Sequence, residues 1–336
     1  MDFDLPGGKY VVAVSGGVDS VVLLHALLEK QRQTEEQNSQ KKTKNDGSTT
    51  VKSRLGGLSS QKLRGGGGGG YELVVAHFDH GIREDSAEDR RFVENMCRQY
   101  GVPFLYDSGH LGAGASEDTA RKARYNFLHR VRENMGADAV VTAHHQDDVL
   151  ETIIMNLLRG TGSRGLHSLK STDVVKRPMT HLPKRTIHTY AKLHRLPWRE
   201  DSTNSDETYL RNYVRHQIVP KIGVTNRQRL LKHGLRARDL QEEIDTHTAH
   251  ILHLQPHVYQ MDRMQFVALP HAVSRELMAT WLRTRTGVEL SAKLLERLVL
   301  AAKSARAGAE VDVARGWRLR MSRDVIELRP APVVAG

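Results

Sequence analysis

The chain has 336 residues, with 50 Lys and Arg against 39 Asp and Glu and a formal net charge of +11. That length allows two domains with separate cores, and the positive balance favours a polyanionic partner without specifying one. Cys97 is the single cysteine, which excludes internal disulfides and cysteine-based zinc sites and fits a reducing cytoplasm. Met1-Asp2-Phe3-Asp4 is no signal peptide and no apolar run approaches a membrane span, so no membrane partner is expected.

Tyr10-Val11-Val12-Ala13-Val14 reads as a buried strand and residues 21–28 as a helix, joined by Ser15-Gly16-Gly17-Val18-Asp19-Ser20. A strand, a glycine turn and a helix start form an anion site, because backbone N–H groups converge where the helix N-terminus supplies positive potential. The loop lacks the Gly-Lys-Ser/Thr ending of a P-loop, so the usual phosphate lysine is missing. The hydroxyls of Ser15 and Ser20 and the carboxylate of Asp19 fit a whole triphosphate, with Asp19 near Mg²⁺. An ordinary turn would also use Gly for backbone freedom and Asp or Ser as a cap; the buried strand before it and Asp-Ser closing it favour the anion site. The hexapeptide resembles the pyrophosphatase loop of the ATP-dependent PP-loop superfamily. Its members cleave ATP between the α and β phosphates and adenylate a substrate oxygen.

Residues 31–70 are polar and basic and end in six glycines, the composition of a flexible low-complexity insertion. Residues 71–78 read as a second parallel strand running into Asp79-His80-Gly81-Ile82-Arg83, and Ser86 with Asp89 caps a helix to about Tyr100. Val102-Pro103-Phe104-Leu105-Tyr106 is a third strand. Ser116 then opens a helix carrying Arg121, Arg124 and Tyr125. A basic stripe of this kind is ordinarily a solvated face.

Ala139-Val140-Val141-Thr142-Ala143 is a fourth strand and delivers His144-His145-Gln146-Asp147-Asp148-Val149-Leu150-Glu151. With a helix beginning near His145, His144, Asp148 and Glu151 share one side of its first two turns and face the phosphate loop. The helix dipole alone favours acids here, but that explains one carboxylate better than three clustered groups. The alternation predicts an α/β, doubly wound parallel sheet. A short helix is expected over 186–194 and another carrying Arg211 and Arg215 at i, i+4.

Pro220 to Gly223 is the expected boundary, giving domains 1–220 and 221–336. Beyond it, helices are predicted over 227–254, 272–285 and 291–305, then strands over 309–313, 316–321 and 325–328. This smaller C-terminal domain is α+β. Trp317, Leu319 and Met321 alternate with Arg318 and Arg320, predicting a cationic face suited to a phosphate backbone.

Taken together and in this order, the loop at Ser15, His77-Phe78-Asp79-His80-Gly81-Ile82-Arg83 with Ser86-Ala87-Glu88-Asp89, Ala123-Arg124-Tyr125-Asn126-Phe127-Leu128, Thr142-Ala143-His144-His145-Gln146-Asp147-Asp148 through Glu151-Thr152, Arg159-Gly160-Thr161-Gly162, and Glu200-Asp201 through Arg211, Asn212 and Arg215 resemble the tRNA(Ile)-lysidine synthetase family. The resemblance covers the first two thirds well and the tail loosely, as in a short form. It implies a PP-loop, adenine nucleotide alpha hydrolase-like fold. It also implies a ligase that adenylates the C2 oxygen of the wobble cytidine of a CAU-anticodon isoleucine tRNA and joins free L-lysine there, releasing pyrophosphate and AMP.

Carried over by position, Ser15, Gly16, Gly17, Val18, Asp19 and Ser20 bind ATP, Asp19 stands near Mg²⁺, and Arg124 approaches the phosphates or the target base. His144 assists adenylation, Asp148 and Glu151 hold lysine, and Arg211 and Arg215 hold RNA. Asp79 departs from the Asn frequent in the family. The oligomeric state stays open, a homodimer included. The rivals are another PP-loop ligase or sulfur transferase, and a noncatalytic tRNA-binding protein. A thiolating enzyme would show a cysteine pair, an amidating one a glutaminase segment, and a binding protein losses among the charged site residues. None of these is present.

Overall fold

Tyr10-Val11-Val12-Ala13 is apolar throughout because both faces of its strand are covered. Val12 packs with Leu24, Val75, Val93 and Ile187, whereas Val11 packs with Ala76, Phe127, Leu128 and Val140. The protein is described here from a computed structural model, over residues 1–336 apart from 2, 4, 46–69, 80–85, 110–116, 161–165, 167, 168, 201–209, 254–258, 289, 315 and 332–336. Most of the expected insertion, the loop from His80 to Arg83, the caps at Ser116, Thr161-Gly162 and the loop beginning at Asp201 lie outside the described residues.

Strand β1 (Gly8–Ala13) lies in a five-stranded parallel sheet with β2 (Tyr71–Asp79), β3 (Phe104–Ser108), β4 (Ala139–Val141) and β5 (Val175–Lys176), in the order β3-β2-β1-β4-β5. The chain winds outward from β1 to β3 and then returns to place β4 on the other side of β1. The order therefore reverses between β1 and β4, and the loops leaving these two strands diverge around a crevice at their C-terminal ends.

Helices α1 (Val18–Asn45), α2 (Ser86–Tyr100) and α5 (Lys184–Leu193) bury Leu23, Leu27, Met96, Ile187 and Ala191 in one cluster. Helix α3 (Glu117–Asn134) packs into the other through Phe127, Leu128 and Val131. Helix α4 (Gln146–Leu158) sets Leu150 and Ile154 against Val214 and Val219. These last two follow α6 (Leu210–Tyr213), in a π-helical turn over Val214–Ile218 and a 3₁₀ turn over Val219–Lys221.

Two expected boundaries move. Helix α1 does not stop near residue 31 but continues to Asn45. Residues 31–45 contain no Gly or Pro and are mostly good helix formers, with Gln31 bonded to Glu35 and Arg32 to Glu29, each at 3.1 Å. The compact units are Met1–Gly234 and Leu235–Gly336, so the division falls inside α7 (Val224–His253) rather than at Pro220–Gly223. The reason is packing: Leu230 and Leu231 of α7 join the Leu150–Val214 cluster of the first unit.

The second unit contains β6 (Gln260–Asp262), α8 (Arg263–Ala268), α9 (His271–Thr286), α10 (Ala292–Ser304), β7 (Glu310–Ala314), β8 (Trp317–Met321) and β9 (Val325–Pro330). The strands form an antiparallel sheet in the order β6-β9-β8-β7, with Trp281, Met278, Leu298, Leu319 and Ile326 in its core. The expected cationic face of β8 is a balanced charge ladder instead. Arg318 meets Asp312 at 2.5 Å and Arg329 meets Glu327 at 2.6 Å, while Arg320 stands in register with Glu310 and Glu327. Both β8 arginines face acids on a neighbouring strand, while Arg329 pairs with Glu327 of its own strand β9; the alternation of one strand does not reveal this.

Cys97 is buried on α2, and burial pushes its thiol up to about 12. Thiolate is the reactive form, so a disulfide exchange reagent should label Cys97 only in denaturant. Stoichiometric labelling of the native protein at neutral pH would contradict this packing.

Candidate active site between strands β1 and β4

The β1 loop depends on one glycine geometry and one hydroxyl. Gly16 adopts φ +95°, a backbone conformation in which a side chain would be strained. The Ser20 hydroxyl donates to the Gly17 carbonyl at 2.9 Å and accepts the Ser15 N–H at 3.2 Å. Its single proton is thus committed to shaping the turn. Ser15 is exposed, and with the first-turn N–H groups of α1, which have no intrahelical acceptors, it is available to an anion.

Two residues with no site role expected from the sequence brace this loop. His77, buried at the end of β2, donates Nδ1–H to the Val14 carbonyl at 2.9 Å. The Arg199 N–H donates to the Gly16 carbonyl at 3.0 Å, while its guanidinium holds Asp89 and, at 3.0 Å, Glu88. The acids of the Ser-Ala-Glu-Asp stretch therefore anchor the strap that crosses the loop.

Asp19 lies in the first turn of α1. Its Oδ2 accepts from Lys184 Nζ at 2.7 Å and lies 3.7 Å from His145 Nε2. Its Oδ1 is buried without a hydrogen-bond partner. Lys184, the first residue of α5, was not among the expected site residues; the only available signal was a lysine beside Pro183 at a helix start.

Helix α4 begins at Gln146, with His145 as its N-cap, as the expected start near His145 required. His144 therefore lies outside the helix and bonds Thr142 Oγ1 through Nδ1 at 2.8 Å. His145, rather than His144, is the histidine against Asp19.

Asp148 and Glu151 do lie together, but each already holds arginine. Arg211 reaches Asp148 Oδ1 at 2.9 Å and Glu151 Oε2 at 3.0 Å. Arg215 grips both Glu151 oxygens, at 2.7 and 2.9 Å. Asp148 Oδ2 also accepts the His145 N–H at 2.9 Å. Burial opposes a charge on Asp148, yet His145 and Arg211 hold its carboxyl below the usual range. Burial likewise works against the charge on Arg211 and Arg215, and the two carboxylates overcome it, so both pKa values are raised.

Beside this array stands an uncompensated cationic cluster. Arg124 has a buried Nε without a partner, as does Arg177. Burial lowers the Arg124 pKa, opposed by Tyr125 and reinforced by Arg121, Arg211 and Arg177. The Arg124 guanidinium lies 5.5 Å from the Tyr125 ring centre, and Arg177 donates to the Tyr125 hydroxyl at 3.3 Å. Burial would raise the Tyr125 pKa, but Arg177, Arg121 and Arg124 lower it overall. The unpartnered guanidinium nitrogens of Arg124 and Arg177 leave positive potential that suits an anion.

Burial, helped by Arg124, Arg177 and Arg211 and opposed by Asp148, pushes His144 down to about 3. The ring is neutral at physiological pH and acts as a hydrogen-bonding group. In the unfolded chain its pKa is about 6.5, so between those values the unfolded state holds more protons and stability rises with pH. The His144 contribution is complete above about pH 6.5 and lost as pH falls toward its folded value. Urea unfolding should give a stability difference, wild type minus His144→Gln, that grows from about pH 4 to about pH 7. A flat difference would contradict a buried neutral His144.

The PP-loop domain model matches residues 3–222. Among curated proteins the chain is similar to the tRNA(Ile)-lysidine synthase of Pseudothermotoga lettingae, 33% identical over 228 residues covering 66% of this chain and 43% of the relative. It is 35% identical to that of Geobacter sulfurreducens over 231 residues, 66% of this chain and 41% of the relative. It is 30% identical to that of Deinococcus deserti over 288 residues, 84% of this chain and 46% of the relative. The aligned regions span less than half the length of these relatives. Because the matched region takes in most of the chain, including the Ser15–Ser20 loop and the α4 residues, the chain belongs to the PP-loop domain family.

Proposed function

We propose that this chain catalyses ATP-dependent ligation of free lysine to C2 of the wobble cytidine in a CAU-anticodon isoleucine tRNA, forming lysidine. The observation that carries this reading is the pairing of two opposite sites in one crevice. A phosphate-type loop stands at the end of β1, and two buried carboxylates that bind cations stand at the start of α4. A triphosphate suits the first and a lysine ammonium the second, and the relatives bear the corresponding name.

In the first step the C2 oxygen of cytidine attacks the α-phosphorus of ATP; the P–O bond to pyrophosphate breaks and an adenylated base forms. The loop N–H groups and Ser15 hold phosphate oxygens, and Arg124 neutralises charge that develops on the phosphorus or the base. His144, neutral, orients by hydrogen bonding. In the second step the lysine ε-nitrogen forms a bond to C2, the C2–O bond breaks, AMP departs and the nitrogen loses its proton. Adenylation matters because an unmodified C2 oxygen is a poor leaving group.

Free lysine has a pKa of about 10.4, so it arrives as an ammonium. Asp148 and Glu151 suit that charge, and its binding exchanges with a guanidinium of Arg211 or Arg215, which then turns to the RNA backbone. Burial has removed most of the basicity of His144, which leaves it a hydrogen-bonding group. Among the described residues no three His, Cys, Asp or Glu side chains are arranged to hold a metal alone. The buried, unpartnered Asp19 Oδ1 nonetheless fits a hard cation, and Mg²⁺ is ordinarily held by one or two carboxylates together with phosphate oxygens. When bound, Mg²⁺ neutralises phosphate charge.

The test is incubation of the protein with ATP, Mg²⁺, labelled lysine and unmodified CAU-anticodon isoleucine tRNA, with nucleosides read by mass. Lysine on the wobble cytidine, with AMP and pyrophosphate released, is the expected result. Pyrophosphate release without lysine in RNA would move the assignment to another acceptor. Absence of ATP turnover with folded protein would favour a binding role.

A further inference from the structure

We infer that Lys184 is a phosphate-binding residue of this site: from helix α5 it supplies the cation that the Ser15–Ser20 loop lacks. The inference rests on the ATP reading above and adds a residue that the loop motif does not contain. A triphosphate brings several negative charges, whereas the loop offers N–H dipoles, one exposed serine hydroxyl and the partial charge of a helix terminus. P-loops meet the same need with a lysine inside the loop; here the corresponding positions are Asp19 and Ser20.

Lys184 is held where such a cation is needed. Ile187, one turn later on α5, is fully buried in the core with Ala191, which fixes the start of the helix beside the loop. Lys184 Nζ lies 2.7 Å from Asp19 Oδ2. The ammonium has three donors on a flexible four-carbon stem, so it can reach phosphate oxygens from this position with or without releasing Asp19. A purely structural ion pair explains the arrangement poorly. The Lys184 and Asp19 side chains are 37% and 26% exposed, and pairs this open contribute little to stability. The pair also leaves Asp19 Oδ1 buried without a partner. Bound nucleotide resolves both points, with a cation on Asp19 and Lys184 on the β or γ phosphate.

Calorimetric titration of full-length wild type, Lys184→Met and Lys184→Arg with MgATP, pyrophosphate with Mg²⁺, and AMP tests this without tRNA or lysine. A charge-assisted contact to the β or γ phosphate predicts dissociation constants about 10- to 100-fold weaker for MgATP and pyrophosphate in Lys184→Met. AMP binding should stay within about twofold and Lys184→Arg should recover much of the loss. Unchanged MgATP and pyrophosphate affinity in Lys184→Met overturns the inference, as does parallel weakening of AMP, which would mark a distorted loop. If wild type binds MgATP but modifies no tRNA, the ligase reading falls while a selective loss in Lys184→Met still supports Lys184. If wild type binds no MgATP, both fall.

Discussion

Asp148 and Glu151 can be buried beside the phosphate loop only because Arg211 and Arg215 meet them. Removing one partner from such a buried array typically costs about 3–5 kcal/mol, since a charge is left desolvated and unpaired. The array therefore fixes more than two side chains. It draws α6 and the π-helical turn after it onto α4, and the same contact line carries Val214 and Val219 into the Leu150–Ile154 cluster. The widened turn brings Arg211 and Arg215 onto the same pair of carboxylates, a local departure from α geometry of a kind often found at functional sites.

Charge is sorted along the crevice. In the proposed reading the β1 end, with its helix dipole, Lys184 and the exposed Ser15, takes phosphate. At the α4 end, two carboxylates hold cations. Beside the α4 carboxylates Arg124 and Arg177 keep buried guanidinium nitrogens without acceptors, near a histidine pushed to neutrality. An unpaired buried donor is costly, and anionic substrate would satisfy it. The reversal of strand order between β1 and β4 brings these three environments together.

Much of this was legible in the chain. The apolar run before Ser15 and the strand-helix alternation specify a parallel sheet, and clustered carboxylates after β4 point to the crevice. What sequence could not show depended on contacts between distant segments. Lys184 and Arg199 reach the loop from 165 residues and more away, with no local pattern to mark them. Arg211 and Arg215 read as free cations until their acids are located. The same blindness produced the cationic face expected for β8, where acids on β7 and β9 balance the arginines. Which of the two histidines stands against Asp19 was equally hidden, since that contact joins the cap of α4 to the first turn of α1 across the sheet.

In the proposed reaction the two ends of the crevice do separate jobs, phosphate chemistry at β1 and lysine capture at α4. The most direct measurement is the fate of CAU-anticodon isoleucine tRNA with ATP and Glu151→Gln protein whose thermal transition matches wild type. The account predicts that adenylated tRNA still forms and accumulates, seen as AMP mass on the wobble cytidine, while lysine transfer is lost. Loss of adenylation and lysine transfer in the same proportion would contradict it.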